Sequence, residues 1–146
     1  MVVSIKWLSL LLKRKVNSLK TSIIYLKPID KNDIEELRFI RNSYVGRNTF
    51  QYDNEISKEE QMRWFQNLNI KQYCYFMVKL IKSNSTIGYV HFSQRNKSDI
   101  EDNKAEIGII LNQKIENLTI PHQCMSLLIR YCFLEKKFES IYGIFN

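Results

Sequence analysis

YCYFMVKLIKSNSTIGYVHFSQ, residues 73–94, decides the fold. Two runs rich in aromatic and β-branched residues, 73–81 and 86–94, flank the polar tetrad Lys82, Ser83, Asn84, Ser85. Such runs are strands, and so short a polar link between them makes an antiparallel hairpin. Downstream, residues 95–103 are polar and charged and read as a loop, and residues 104–111 as a third strand. Upstream, residues 22–28 are a strand with β-branched character.

Helices fill the intervals. Asp30 or Asn32 is placed to cap a helix whose core face is Ile34, Leu37, Phe39 and Ile40, ending near residues 43–46. Ser57 with Glu60 three residues later is a capping-box pattern for a second helix running through Leu68. A connector, 112–119, leads to a helix over 120–137 with Pro121 in its first turn, and residues 138–145 close as a strand. The predicted order is β-α-α-β-β-β-α-β. The expected fold class is α+β (α/β), a mixed, mainly antiparallel sheet flanked by helices. The last strand runs parallel to 104–111, because a helix joins them.

A chain of 146 residues suits one domain, and 45% hydrophobic content is enough for a core. The net charge is +7. Residues 1–20 hold Lys6, Lys13, Arg14, Lys15 and Lys20 and no acid, so the rest of the chain is nearly balanced. A basic appendage is not a stripe across a domain, and no nucleic-acid partner is expected. Cys74, Cys124 and Cys132 show no CxxC spacing and read as buried, reduced thiols, which suits a cytoplasmic protein. His91 and His122 have no second ligand at metal spacing, so no metal is expected.

Residues 1–20 read as a basic amphipathic N-terminal extension to a domain over 21–146. Trp7, Leu8, Leu11, Leu12, Val16 and Leu19 recur at three- and four-residue steps, with Lys13, Arg14, Asn17 and Lys20 mostly opposite. Three fates are open to this helix: packing on the domain by its leucine face, lying on an anionic membrane surface, or loose order, including a start of translation placed too early. The apolar run is far shorter than the roughly 20 residues a membrane span needs.

The ordered blocks carry a resemblance. They are the strand 23–28, Ile40-Arg41-Asn42, Gln61 through Trp64-Phe65, 75–78, Ile87-Gly88-Tyr89, Ala105-Glu106-Ile107-Gly108, 127–133 and 140–146. In this order they resemble the Gcn5-related N-acetyltransferase (GNAT) family, over about 125 residues. The specificity lies in order and spacing, not in one motif. The resemblance implies acetyl transfer from acetyl-CoA to a primary amine. The pattern is closest to the branches acting on nucleotide-linked amino sugars or ribosomal-protein N-termini.

It also implies roles. Arg41, Gln61 and Trp64 would line the acceptor pocket, by bidentate contact and stacking. Glu106 would take the ammonium proton, directly or through a water. Backbone N–H groups around Ile109 and Ile110 would polarise the thioester carbonyl. Thr119, His122 and Gln123 at the helix start would meet the pyrophosphate, and Asn146 would lie against the cofactor. The family loop has glycines where this chain has Thr119 and Pro121, and Arg or Gln where it has Glu116. Its last helix and two strands have no counterpart before Asn146. A truncated, catalytically inactive relative, a binding module or a gene fragment, is therefore the alternative. On this reading the strand over 140–145 is an open sheet edge that favours self-association, unless residues 1–20 cover it.

Overall fold

The computed structural model describes residues 2–6, 19–43, 54–112 and 114–144. Six strands form one sheet: β1 (Val2–Lys6), β2 (Ile24–Pro28), β3 (Tyr73–Leu80), β4 (Thr86–Ser93), β5 (Lys104–Leu111) and β6 (Ser140–Ile144). Their spatial order is β1-β6-β5-β4-β3-β2. All neighbours are antiparallel except β5 and β6, which are parallel. The helices are α1 (Ile34–Asn42), α2 (Lys58–Gln66), α3 (Lys97–Glu101) and α4 (Thr119–Leu134). This is the mixed, mainly antiparallel sheet that the blocks predict.

The helix starts follow from local chemistry. Asp30, not Asn32, caps the turn before α1, accepting from the Asn32 N–H at 2.7 Å. At α2 the Ser57 hydroxyl accepts from the Glu60 N–H, and the Glu60 carboxylate accepts from the Ser57 N–H at 2.7 Å. That is the reciprocal box expected of the pair. The 73–94 hairpin turns through Asn84 at a positive φ of 55°, a conformation that asparagine tolerates.

Three expectations are corrected. Residues 95–103 are not all loop: Asn96 accepts from the Asp99 N–H at 2.9 Å and starts the short helix α3. The long helix ends at Leu134, and Lys137 takes a left-handed φ of 58° just beyond it. Residues 2–6 are a strand and not helix. Val2, Val3 and Ile5 favour extended backbone, and the outer edge of β6 offers a row of partners. The remaining helical pattern, over 7–18, lies outside the described residues. The edge expected to stand open at β6 is covered, and β1 becomes the edge. At the opposite side the Leu26 N–H donates to the Leu19 carbonyl at 2.7 Å, so residues 19–21 turn back over part of β2.

Alternation along the strands sorts side chains to two faces. One face buries Ile24, Leu26, Phe76, Val78, Val90, Phe92, Ala105 and Ile107 against α4, through its Cys124, Leu127, Leu128 and Cys132. Each fully buried aliphatic or aromatic side chain there contributes roughly 1.5–3 kcal/mol. Burial raises both helix thiols, Cys124 to about 12. The other face is smaller and more polar: Leu37, Tyr75, Met77, Tyr89 and Ile110, with Trp64 and Leu68 from the α2 side. No described helix is long and apolar enough to cross a membrane.

Candidate active site

Three cross-strand rows organise the polar face. Register places Met77 beside Tyr89 and Ile110, Tyr75 beside His91 and Gly108, and Tyr73 beside Ser93 and Glu106, with Tyr142 next to Glu106. Adjacent rows are two residues, about 7 Å, apart.

Helices α1 and α2 close over the middle row. The end of α1 is clasped to the segment just before α2: Asn42 donates to the Ile56 carbonyl at 2.9 Å and accepts from the Ile56 N–H at 2.8 Å. Arg38 adds a bond to the same carbonyl. This clasp aims Arg41 inward, where it is 7% exposed. Its Nη1 donates to Gln61 Oε1 at 3.2 Å and its Nη2 to the Tyr75 hydroxyl at 3.4 Å. Its guanidinium lies 4.4 Å from the Trp64 ring centre, 5.4 Å from Tyr75 and 6.0 Å from Tyr89. Trp64 meets Tyr75 edge-on at 4.9 Å. The three residues predicted for the acceptor pocket, Arg41, Gln61 and Trp64, are thus in one box.

Sequence reasoning missed that box's other walls. Tyr75 stacks on His91 at 4.9 Å and 10°, and Tyr89 lies 6.2 Å from the same imidazole. Both His91 ring nitrogens and Gln61 Nε2 are buried with no hydrogen-bond partner among the described residues. Burial, with Arg95 and Arg41 nearby, lowers the His91 pKa to about 3, so the imidazole is neutral. The signal that finds these residues is period two: Tyr73 and Tyr75 on one strand, Tyr89, His91 and Ser93 on the next.

Glu106 shares this face. Its carboxylate pairs with Arg95 Nε at 3.6 Å rather than with Lys104, which pairs with Asp102. Tyr142 donates to the buried Asp99 carboxylate at 3.0 Å, which pins the foot of β6 to α3. Burial and that bond raise Tyr142 to about 12.

Glu106 and Tyr142 are also the last register pair between the parallel strands. Their partnership runs only over Lys104–Glu106 against Ser140–Tyr142. Beyond it, β5 continues to Leu111 with β4 alone, while Gly143 and Ile144 pair with β1. The two strands therefore part toward their carboxyl ends, the usual place for a ligand crevice in a sheet with parallel strands. Ile109 and Ile110 lie in the parted stretch. Successive residues send their N–H groups to opposite strand edges, so one of the two is directed at the gap.

The start of α4 is closed on itself. Asn117 takes the Thr119 N–H at 3.0 Å on its side chain and the Ile120 N–H at 3.1 Å on its carbonyl, and Pro121 has no N–H. The Thr119 hydroxyl donates to Asn117 at 2.7 Å and accepts from Gln123 at 3.2 Å. Gln123 in turn accepts from Thr21 at 2.6 Å. His122 is exposed. Asn146 lies outside the described residues.

The sequence matches the model of the acetyltransferase (GNAT) domain over residues 24–146. The chain belongs to the GNAT acetyltransferase family. Solved structures agree in fold. A domain from Methanocaldococcus jannaschii DSM 2661 is 21% identical, with a TM-score of 0.64, over 79% of this chain and 72% of that one. The dodecameric spermidine N-acetyltransferase from Vibrio cholerae is 16% identical, with a TM-score of 0.67, over 84% and 70%. FdhC, a nucleotide-linked sugar GNAT, is 23% identical, with a TM-score of 0.63, over 83% and 68%. No curated protein sequence matches the chain. GNAT membership makes the protein an N-acetyltransferase by family, and acetyl-CoA is the donor such domains use in general.

Proposed function

We propose that this protein transfers an acetyl group from acetyl-CoA to a primary amine of a small molecule or peptide, in the cytoplasm. The amine of a nucleotide-linked amino sugar or of a protein N-terminus is the acceptor class. One observation carries the reading: β5 and β6 part immediately after Glu106 and Tyr142. The residues fit the thioester end of the donor. The gap frees one edge of β5 at Ile109–Ile110, and the acceptor box lies on one face of the neighbouring strands β3 and β4.

Bound acetyl-CoA supplies the activated acyl group. Arg41, Gln61 and Trp64 hold the acceptor, and an N–H from Ile109 or Ile110 faces the carbonyl oxygen. Glu106 accepts the amine proton. The phosphate end fits less well. With the Thr119 and Ile120 N–H groups taken by Asn117, the phosphates would meet exposed side chains such as His122 and Thr119, and weak binding is expected. That closed turn favours a second reading, a relative that binds partners without turning over. Release of CoA thiol, followed with a colorimetric thiol reagent while amines are added, separates the two. Amine-dependent release supports the first reading, and its absence with every amine supports the second.

A further inference from the structure

His91 is buried, polar and idle. Its ring is held on one side by the Tyr75 stack at 4.9 Å. On β5 the facing residue is Gly108, whose missing Cβ would stand 2.3 Å from His91 Cε1 and 3.0 Å from both ring nitrogens. The imidazole therefore presents its two-nitrogen edge to β5 within two residues of Glu106 and Ile110. A neutral imidazole carries one donor and one acceptor there, and neither is used. Gln61 Nε2, on a side chain only 1% exposed, is a further idle donor in the same box. Native proteins rarely leave such groups unmatched, because each costs stability. Unpartnered donors and an acceptor in one box suit a polar ligand.

The box also states which amine it refuses. Its aromatic faces, Trp64, Tyr75 and Tyr89, are where an ammonium group would be held by cation–π attraction. The Arg41 guanidinium already occupies them. A polyamine's ammonium group would have to displace Arg41 from those faces. An amine whose neighbouring carbons carry oxygen meets donors instead: Gln61 Nε2 and one nitrogen of His91.

We propose that His91 is a positioning and specificity-determining residue that, with Gln61, hydrogen-bonds an acceptor amine bearing oxygen on adjacent carbons and disfavours polyamines. The inference rests on the acetyltransferase reading above. In this structure the ring nitrogens are closed to solvent, so the substrate reaches them by displacing a side chain of the box.

The test compares the full chain with His91→Phe, which keeps an aromatic ring against Tyr75 and removes both nitrogens, and with His91→Gln, which returns polar atoms. Three probes are used: a UDP-linked amino sugar, an alanyl peptide and spermidine. Thermal unfolding should show His91→Phe folded, with a midpoint equal to or above that of the parent. KM for the sugar or the peptide should rise at least tenfold in His91→Phe with kcat changed less, and His91→Gln should recover part of it. Spermidine should be the poorest substrate of the parent. Unchanged KM in His91→Phe, or a preference for spermidine, overturns the proposal while CoA release by the parent keeps the acetyltransferase reading standing. If the parent releases no CoA with any amine, that reading fails, and calorimetry with the same probes decides the inference. Sugar or peptide binding lost in His91→Phe supports it; equal isotherms, flat ones included, overturn it.

Discussion

Gly108 lies directly across from His91, and a Cβ at Gly108 would stand 2.3 Å from the imidazole Cε1. No side chain fits there unless His91 moves, and His91 is held by the Tyr75 ring. Gly108→Ala should therefore destabilise the fold by roughly 1–3 kcal/mol, the usual cost of overpacking. Adding His91→Ala should return part of that loss. Urea unfolding of the single and double variants measures the coupling; additive losses would mean that the clash is not with His91.

Arg41 binds Gln61 and Tyr75 with two different nitrogens while it stacks on Trp64. A lysine keeps the charge but has neither the fork nor the plane. Arg41→Lys should cost roughly 1–3 kcal/mol of stability and raise acceptor KM more than it lowers kcat. Denaturant unfolding and steady-state kinetics on the same preparation check both halves.

Much of this architecture is legible in the chain because local signals agree with the global ones. The 73–94 hairpin, the Ser57–Glu60 box and the interleaving of helices with strands each point to the same sheet. The resemblance implies an acceptor pocket of Arg41, Gln61 and Trp64, and the structure brings these three side chains together. Two things escaped. Residues 2–6 take the state their tertiary partner dictates: the outer edge of β6 recruits Val2–Lys6 as a strand, and helical spacing over the following residues obscures it. The role of Asn117 depends on one side chain reaching two residues ahead to the Thr119 N–H, which no period or composition reveals.

Acid should weaken the fold through His91. Its folded-state pKa is lowered from 6.5 to about 3 by burial and by Arg95 and Arg41. Below pH 6.5 the unfolded chain takes up a proton at this site that the folded chain refuses. The stabilisation is thus whole above pH 6.5 and is lost progressively as the pH falls toward 3. At full effect the group contributes a slope of about 1.4 kcal/mol per pH unit. Unfolding free energies measured between pH 5 and 6.5, above most carboxylate titration, should decline in the parent and stay flatter in His91→Phe. Equal slopes would show that His91 titrates normally.

Acetyl-CoA bound where β5 and β6 part would shield the N–H groups at the gap. Amide hydrogen exchange with and without acetyl-CoA reports those groups one by one. Exchange should slow at Ile109 or Ile110 and at Gly143 and Ile144, with little change in β3. Protection absent from the gap at saturating acetyl-CoA, or confined to β2 and β3, would contradict that placement.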